Sequence, residues 1–128
     1  MTLTEVKDWL KTKVNCPSWY TGKADTSKEQ CIAVYSIQGP TPNIALGGLA
    51  NTSYSTKAIS ILVHWGKNNT VAEQKAQKVY NTMFGQSAII AGHRVISFDM
   101  KTSEPIGVGT DENGFYEYVI NTYIIYER

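Results

Sequence analysis

Alternating apolar and polar positions are clearest near the end of the chain, in residues 104–128. From residue 115 onward one parity is almost wholly apolar or aromatic: Tyr116, Tyr118, Ile120, Thr122, Ile124 and Tyr126. The other parity mixes apolar groups with Glu117, Asn121 and Glu127. A period of two predicts a long β-strand with one face on the core. The preceding Asp111-Glu112-Asn113-Gly114 predicts the turn of a closing hairpin, because Asn and Gly tolerate positive φ.

The second face of this strand carries four apolar side chains in one row: Phe115, Val119, Tyr123 and Ile125. A monomer rarely leaves such a row in water. Either a helix of the same chain covers the row, or a neighbouring subunit does. We therefore treat the four residues as a candidate subunit interface.

Two stretches have helical periodicity. Residues 2–14 place Leu3, Val6, Trp9, Leu10 and Val14 on one stripe, and Thr2 with Glu5 has the spacing of a capping box. The second helix is predicted over residues 71–84, where Thr70 and Glu73 repeat that spacing and Gly85 suits the position after the last turn. Its stripe is Ala72, Ala76, Val79, Tyr80 and Met83. The two alanines predict a close approach of this helix to a sheet.

Further strands are predicted at residues 18–23, 29–37, 56–65 and 93–101, and residues 88–91 are left unassigned. Most connections between strands are too short for a helical crossover. The chain therefore predicts one α+β domain over residues 1–128, with a mostly antiparallel sheet and two helices packed on one face.

The long stretch at residues 38–55 is rich in glycine, proline and small polar residues. A connection of this length is commonly functional or ordered against a partner, although a plain surface loop is the alternative. The candidate partner-contact residues are Gly39, Pro40, Pro42, Gly47, Gly48 and Tyr54. No GK[ST] phosphate loop occurs in it.

Composition narrows the function classes. The 128 residues are 42% hydrophobic and 18% charged, which is typical of a globular protein. A net charge of +1 gives no general support for nucleic-acid binding, and the lysines near the N-terminus fit the solvated face of a helix. No apolar run is long enough for a membrane span, and the N-terminus does not resemble a signal peptide. Cytoplasmic localisation is expected by default.

The candidate chemistry is sparse. Cys16 and Cys31 form no zinc-type spacing, and either a disulfide or two free thiols is compatible with the sequence, the free thiols being favoured. His64 and His93 lie in predicted strands, where a surface or subunit-contact position is commoner than a catalytic one. The acidic pair in the hairpin turn is most simply a turn former. We therefore predict no catalytic residue, cofactor or metal.

Three stretches together resemble a known family: residues 19–39, residues 58–83 with their strand-turn-helix pattern, and residues 104–128 with their DENG turn and final Tyr-Glu-Arg. They resemble the minor capsid or tail terminator proteins of phages and prophages of Gram-positive bacteria. The resemblance covers most of the chain and is weakest in the first helix and the long loop.

The resemblance implies a structural protein of the virion rather than an enzyme. Such a protein forms a ring, usually of six subunits, at the head-tail junction, after assembly in the host cytoplasm. It caps the tail tube, stops tube polymerisation and docks to the head connector. DNA passes through such a ring without specific binding, and no membrane is involved.

Two alternatives stay open. A head-tail connector or other neck protein belongs to the same structural class. A small ligand-binding or hydrolytic domain belongs to a different class, and it requires a pocket that joins His64 or His93 to a carboxylate or thiol. An exposed, convex surface around both histidines argues against it.

Overall fold

The computed structural model describes residues 1–41, 47–48 and 53–128. Two helices and seven strands are formed by these residues. In chain order they are α1 (Leu3–Lys11), β1 (Trp19–Thr21), β2 (Gln30–Ser36), β3 (Tyr54–Trp65), α2 (Asn69–Asn81), β4 (Ala88–Ile90), β5 (His93–Met100), β6 (Ile106–Thr110) and β7 (Tyr116–Glu127).

All seven strands belong to one sheet with the order β1-β2-β3-β7-β5-β4. The long strands β3 and β7 lie at its centre and pair along almost their whole length. β5 and β6 share one side of β7: β5 pairs with its C-terminal half and β6 with its N-terminal half.

The fold class is α+β, as predicted, but the sheet is mixed rather than mostly antiparallel. β1 runs parallel to β2 from Trp19 opposite Ile32 to Thr21 opposite Val34. The other recorded pairings are antiparallel. β1 is only three residues long, and the alternation of its side chains does not reveal its direction, because a period of two is the same in either direction.

The hydrophobic core contains side chains from both helices and from the central strands. α1 contributes Val6 and Leu10, and alternate residues come from the middle of β2, from the second half of β3 and from β7. The predicted stripe of α2 is fully or almost fully buried: Ala72, Ala76, Val79, Tyr80 and the following Met83. Ala72 and Ala76, from which a close approach to a sheet was predicted, are completely inaccessible.

The helix ends test the predicted caps. At α1 the capping box is confirmed: the Glu5 amide donates to the Thr2 hydroxyl at 3.2 Å, and the Thr2 amide donates to the Glu5 carboxylate at 2.7 Å. At α2 the predicted cap is wrong. Asn68 precedes the first turn, and its side-chain oxygen accepts a hydrogen bond from the Val71 amide. Asn is as good a cap as Thr, and it begins the helix two residues before the predicted start.

The unassigned segment at residues 88–91 is part of a β-hairpin. Ile90 lies opposite His93, and the two residues between them, Ala91 and Gly92, both have positive φ, at 51° and 80°. Two successive positive φ values match the right-handed twist of paired strands. The hairpin was not predicted because alanine is an uncommon residue at such a position.

The remaining boundaries differ from prediction by one to three residues. β3 begins at Tyr54, so this candidate loop residue belongs to a strand. α1 ends at Lys11, although Val14 beyond it is still buried in the core. In the part of the chain that the structure describes, no helix combines the length and apolarity needed to cross a membrane.

Candidate subunit interface

The sheet face away from the hydrophobic core is built by the second parity of β2, β3 and β7. Strand register brings its residues into rows across the sheet, since directly paired residues point to the same side. One row runs from Ala33 through Leu62 and Val119 to Ile106. A second row joins Ala58, Tyr123 and Asp99, and a third joins Thr56, Ile125 and Ser97. We refer to this side as the second face.

Three of the four predicted interface residues lie on this face. Val119, Tyr123 and Ile125 alternate along β7 and are each half-buried, whereas Ile120 and Ile124 on the core side are completely buried. The structure therefore reproduces the predicted division of β7 into a core side and a partly accessible apolar side. Ile106, 39% exposed, extends the apolar row at its outer end.

Polar contacts surround Tyr123. The Lys101 ammonium lies 4.3 Å from the centre of its ring, a cation–π distance, and also 2.8 Å from the Asp99 carboxylate. The hydrogen bond that Lys101 donates to Asp99 is the main cause that raises the pKa of the Lys101 ammonium. Tyr123 is thus an aromatic residue with a charged rim, a composition common in protein interfaces.

Phe115, the fourth predicted residue, lies in a different environment just before β7. Its ring meets the imidazole of His64 edge-on, with centroids 5.2 Å apart, and Lys67 approaches its face at 5.7 Å. Phe115 therefore covers a buried histidine, and only part of the ring remains accessible.

His64 is completely buried, which corrects the expectation of a surface or contact histidine. Its Nε2 lies 2.8 Å from Oδ2 of Asp111, in the turn that precedes β7. The other carboxylate oxygen of Asp111 accepts hydrogen bonds from the amides of Asn113 and Phe115. Asp111 therefore forms the turn, as predicted, and also attaches it to β3, which the sequence did not indicate.

The pKa values of Asp111 and Cys31 are shifted in opposite directions. The hydrogen bond from His64, together with those from the two amides, lowers the pKa of the Asp111 carboxyl from its ordinary value. Cys31 lies opposite His64 in the register of β2 and β3. Desolvation by burial is the main cause that raises the pKa of its thiol to about 11, so the thiolate needed for nucleophilic attack is scarce at neutral pH. A carboxylate is hydrogen-bonded to His64, and the side chain of His64 is completely buried.

His93, the second histidine, also contacts other groups of this chain. Nδ1 of His93 donates to the Glu127 carbonyl at 3.0 Å, and its ring packs against Tyr126. Both cysteines are free thiols, Cys16 half-buried and Cys31 buried. Among the described residues, no group of three or more His, Cys, Asp and Glu side chains is arranged to hold a metal ion.

Neither histidine lines either of two cavities on the surface of the described part of the chain. One, of about 440 Å³, lies between the end of α2 and the end of β5, where Tyr80, Phe84 and Met100 line it. The other, of about 410 Å³, lies beside Trp65, whose ring is covered by the Lys75 ammonium at 4.7 Å. Neither contains a histidine or a cysteine.

The candidate partner-contact loop is described only in part. Gly39 and Pro40 are exposed, Gly47 is exposed and Gly48 is half-buried, and Tyr54 is 37% exposed at the start of β3. Pro42 lies outside the described residues. The described members are accessible, as a contact role requires.

Sequence reasoning missed β6 as an accessible element. All five of its residues are exposed, including Ile106 and Val108, at 39% and 53%. The Ile-Gly-Val-Gly-Thr alternation was available in the sequence, but the glycines made it look like a lead into the turn rather than a strand.

One of the comparisons with known proteins identifies a family. A family model described as "Bacteriophage tail terminator protein" matches residues 6–128. A search of the curated proteins found no match.

Among the solved structures that match, one superimposes with a TM-score of 0.50 and 14% sequence identity. The alignment covers 97% of this chain and 87% of that one. At this identity the likeness concerns the fold alone.

Proposed function

Because the chain belongs to the bacteriophage tail terminator family, we propose that it forms a ring that caps the tail tube, stops its polymerisation and docks to the head connector. Family membership makes it a structural protein of the phage tail and therefore of the virion. The proposal adds the position at the head-tail junction, assembly in the host cytoplasm, a ring of six copies and the absence of catalysis. The single observation that carries it is the family match over residues 6–128.

The second face of β7 supports the ring. We propose that both helices pack on the core side of the sheet, so that Val119, Tyr123 and Ile125 are left for a neighbouring copy. Their half-buried state in one chain leaves apolar area for a second chain to cover, which favours association. Phe115 contributes at the edge of this surface, where part of its ring is accessible.

The partner-contact loop has a separate role in the proposal. Gly39, Pro40, Gly47, Gly48 and Tyr54 contact a ring neighbour or the tube protein, together with Pro42. A net charge of +1 suits a protein whose main contacts are with proteins. DNA passes through the ring without specific contacts.

The interface is tested by Tyr123→Asp. A carboxylate at this half-buried position cannot be covered by a neighbour without an uncompensated desolvation, so we expect the ring to dissociate while the monomer still folds. Size-exclusion chromatography with light scattering measures the mass, and urea unfolding measures the stability of the monomer. Val71→Asp is the matched control, because Val71 is 45% exposed on α2 and outside the proposed interface.

A loss of monomer stability without a change in mass contradicts the interface, since Tyr123 then belongs to the fold alone. The capping role is tested separately by adding the protein to polymerising tail tube protein. We expect shorter tubes at higher protein concentration by electron microscopy. Tube lengths that do not depend on the protein contradict the capping role.

A further inference from the structure

β6 is an open sheet edge without the usual protection. Its inner side pairs with β7, and within residues 1–41, 47–48 and 53–128 no strand pairs with its outer side. All five residues are exposed and none is charged. An edge strand presents a row of backbone N–H and C=O groups. Natural edge strands usually carry proline or a charged side chain, especially lysine, that discourages pairing with another strand.

β1 is the open edge at the opposite side of the same sheet. The Gly22 amide donates to the Val34 carbonyl at 2.9 Å, and the Ile32 amide donates to the Ser18 carbonyl at 3.0 Å. Alternate peptide groups face the neighbour in a parallel ladder, so the N–H and C=O of Trp19 and Thr21 point away from β2. β1 also contains no charged residue.

The two edges lie at the same level of the sheet. A single cross-strand row starts at one edge and ends at the other: Tyr20, Ala33, Leu62, Val119 and Ile106. Between β1 and β6 the strand direction reverses three times, so β6 runs antiparallel to β1. A second copy set beside the first in the same orientation therefore offers its β1 to β6 as an antiparallel partner.

We propose that β6 of one copy pairs with β1 of the next copy, so that the sheets of neighbouring subunits join edge to edge. The inference rests on the proposed homo-oligomer and adds a contact at the sheet edges to the contact proposed for the second face. The contact is heterologous, because it uses a different edge from each copy, and a closed ring then leaves neither edge open. Backbone hydrogen bonds supply the attraction and Ile106 beside the partner's Tyr20 continues the apolar row of the second face.

The joint is tested by a pair of cysteines, Tyr20→Cys and Ile106→Cys, in a Cys16→Ser background. Within one chain the two positions are four strand spacings apart, about 19 Å, which no disulfide spans. Across the proposed joint they are cross-strand neighbours, within disulfide distance. Cys31 is left in place because it is completely buried.

The chain carrying both cysteines is supplied to phage that lack the gene, and the tails are purified and oxidised. We expect a ladder of covalent multimers on a non-reducing gel, up to the number of copies in the ring, and none from either single variant. Three results overturn the joint: incorporated protein without a ladder, dimers from the Ile106→Cys variant alone, or a covalent link to the tube protein. Absence of the wild-type chain from purified tails contradicts the proposed function itself.

A backbone substitution gives an independent test in the purified protein. Thr21→Pro removes an N–H that points away from β2, so the β1–β2 ladder is kept, and proline is tolerated at sheet edges. We expect its oligomer to dissociate at least tenfold more readily by light scattering than that of Thr21→Val, which keeps the N–H. Equal association of the two variants contradicts the joint.

Discussion

Ile124 and Ile125 are adjacent in β7, identical in chemistry and opposite in environment. Ile124 is completely buried in the core and is paired with β3 and β5, whereas Ile125 is half-buried on the second face. Replacing each with alanine therefore measures what the two sides of one strand contribute.

The magnitude for Ile124→Ala follows from its burial. Deleting three buried carbons from a close-packed core costs about 2–5 kcal/mol of unfolding free energy, and we take about 3 kcal/mol. With an unfolding entropy of about 2.1 cal/mol/K per residue, a chain of this length loses about 11 °C in Tm. Ile125→Ala removes a side chain that is only partly covered in one chain, so we expect about 1 kcal/mol or less, near 4 °C.

The assay is thermal unfolding by circular dichroism at a protein concentration where light scattering detects monomers. The same two variants are then compared for ring formation at high concentration, where we expect Ile125→Ala to weaken association and Ile124→Ala to act only through stability. Equal losses of Tm, or a larger loss for Ile125→Ala, refute the division of β7 into a core side and an interface side.

Three further predictions concern the fold and the turn. Asn68→Ala lowers the unfolding free energy by about 1 kcal/mol, whereas Thr70→Ala changes it little, because only Asn68 caps α2; urea unfolding measures both. Ala76→Leu overpacks the completely buried contact of α2 and costs about 1–3 kcal/mol, whereas Lys78→Leu on the exposed side of the helix is nearly neutral. Because the pKa of the Asp111 carboxyl is lowered in the folded state, its ionised form stabilises the fold above pH 3.8, the ordinary pKa value. This contribution is lost as the pH falls through the folded-state pKa. Asp111→Asn therefore lowers the free energy of unfolding at neutral pH, and its difference from wild type shrinks as the pH falls below 3.8 in urea titrations. A difference that does not change with pH contradicts the assignment.

Much of the architecture could be predicted from the sequence, because the spacing of apolar residues agrees with their burial in the structure. The stripe of α2, the capping box of Thr2 and Glu5 and the parity of β7 each follow from spacing alone. The interior position predicted for β2 is also found, since Cys31, Ile32, Ala33 and Val34 are all buried.

The contacts that escaped prediction join residues far apart in the chain. Asp111 has a sufficient local explanation as a turn former, so nothing in the sequence pointed to its second oxygen binding His64, 47 residues earlier. The parallel direction of β1 is likewise determined by its tertiary contacts with β2. Neither feature alters local periodicity, which is the primary signal for strands in a single sequence.

The candidate interface could also be predicted only in part from the sequence. Parity placed Val119, Tyr123 and Ile125 on one face, but it did not reveal that Phe115 is partly used to cover His64. It also gave no indication that β6 and β1 end the same cross-strand row. An edge strand is one that lacks a partner strand on one side, and which strands pair depends on the whole sheet.

The most direct test of the proposed function is the length of tails made by phage that lack this gene. Electron microscopy of lysates gives the length distribution and the fraction of tails joined to heads. We predict tails of abnormal, widely varying length that remain unattached, with both defects restored by the wild-type gene. Tails of normal, fixed length attached to heads contradict the account.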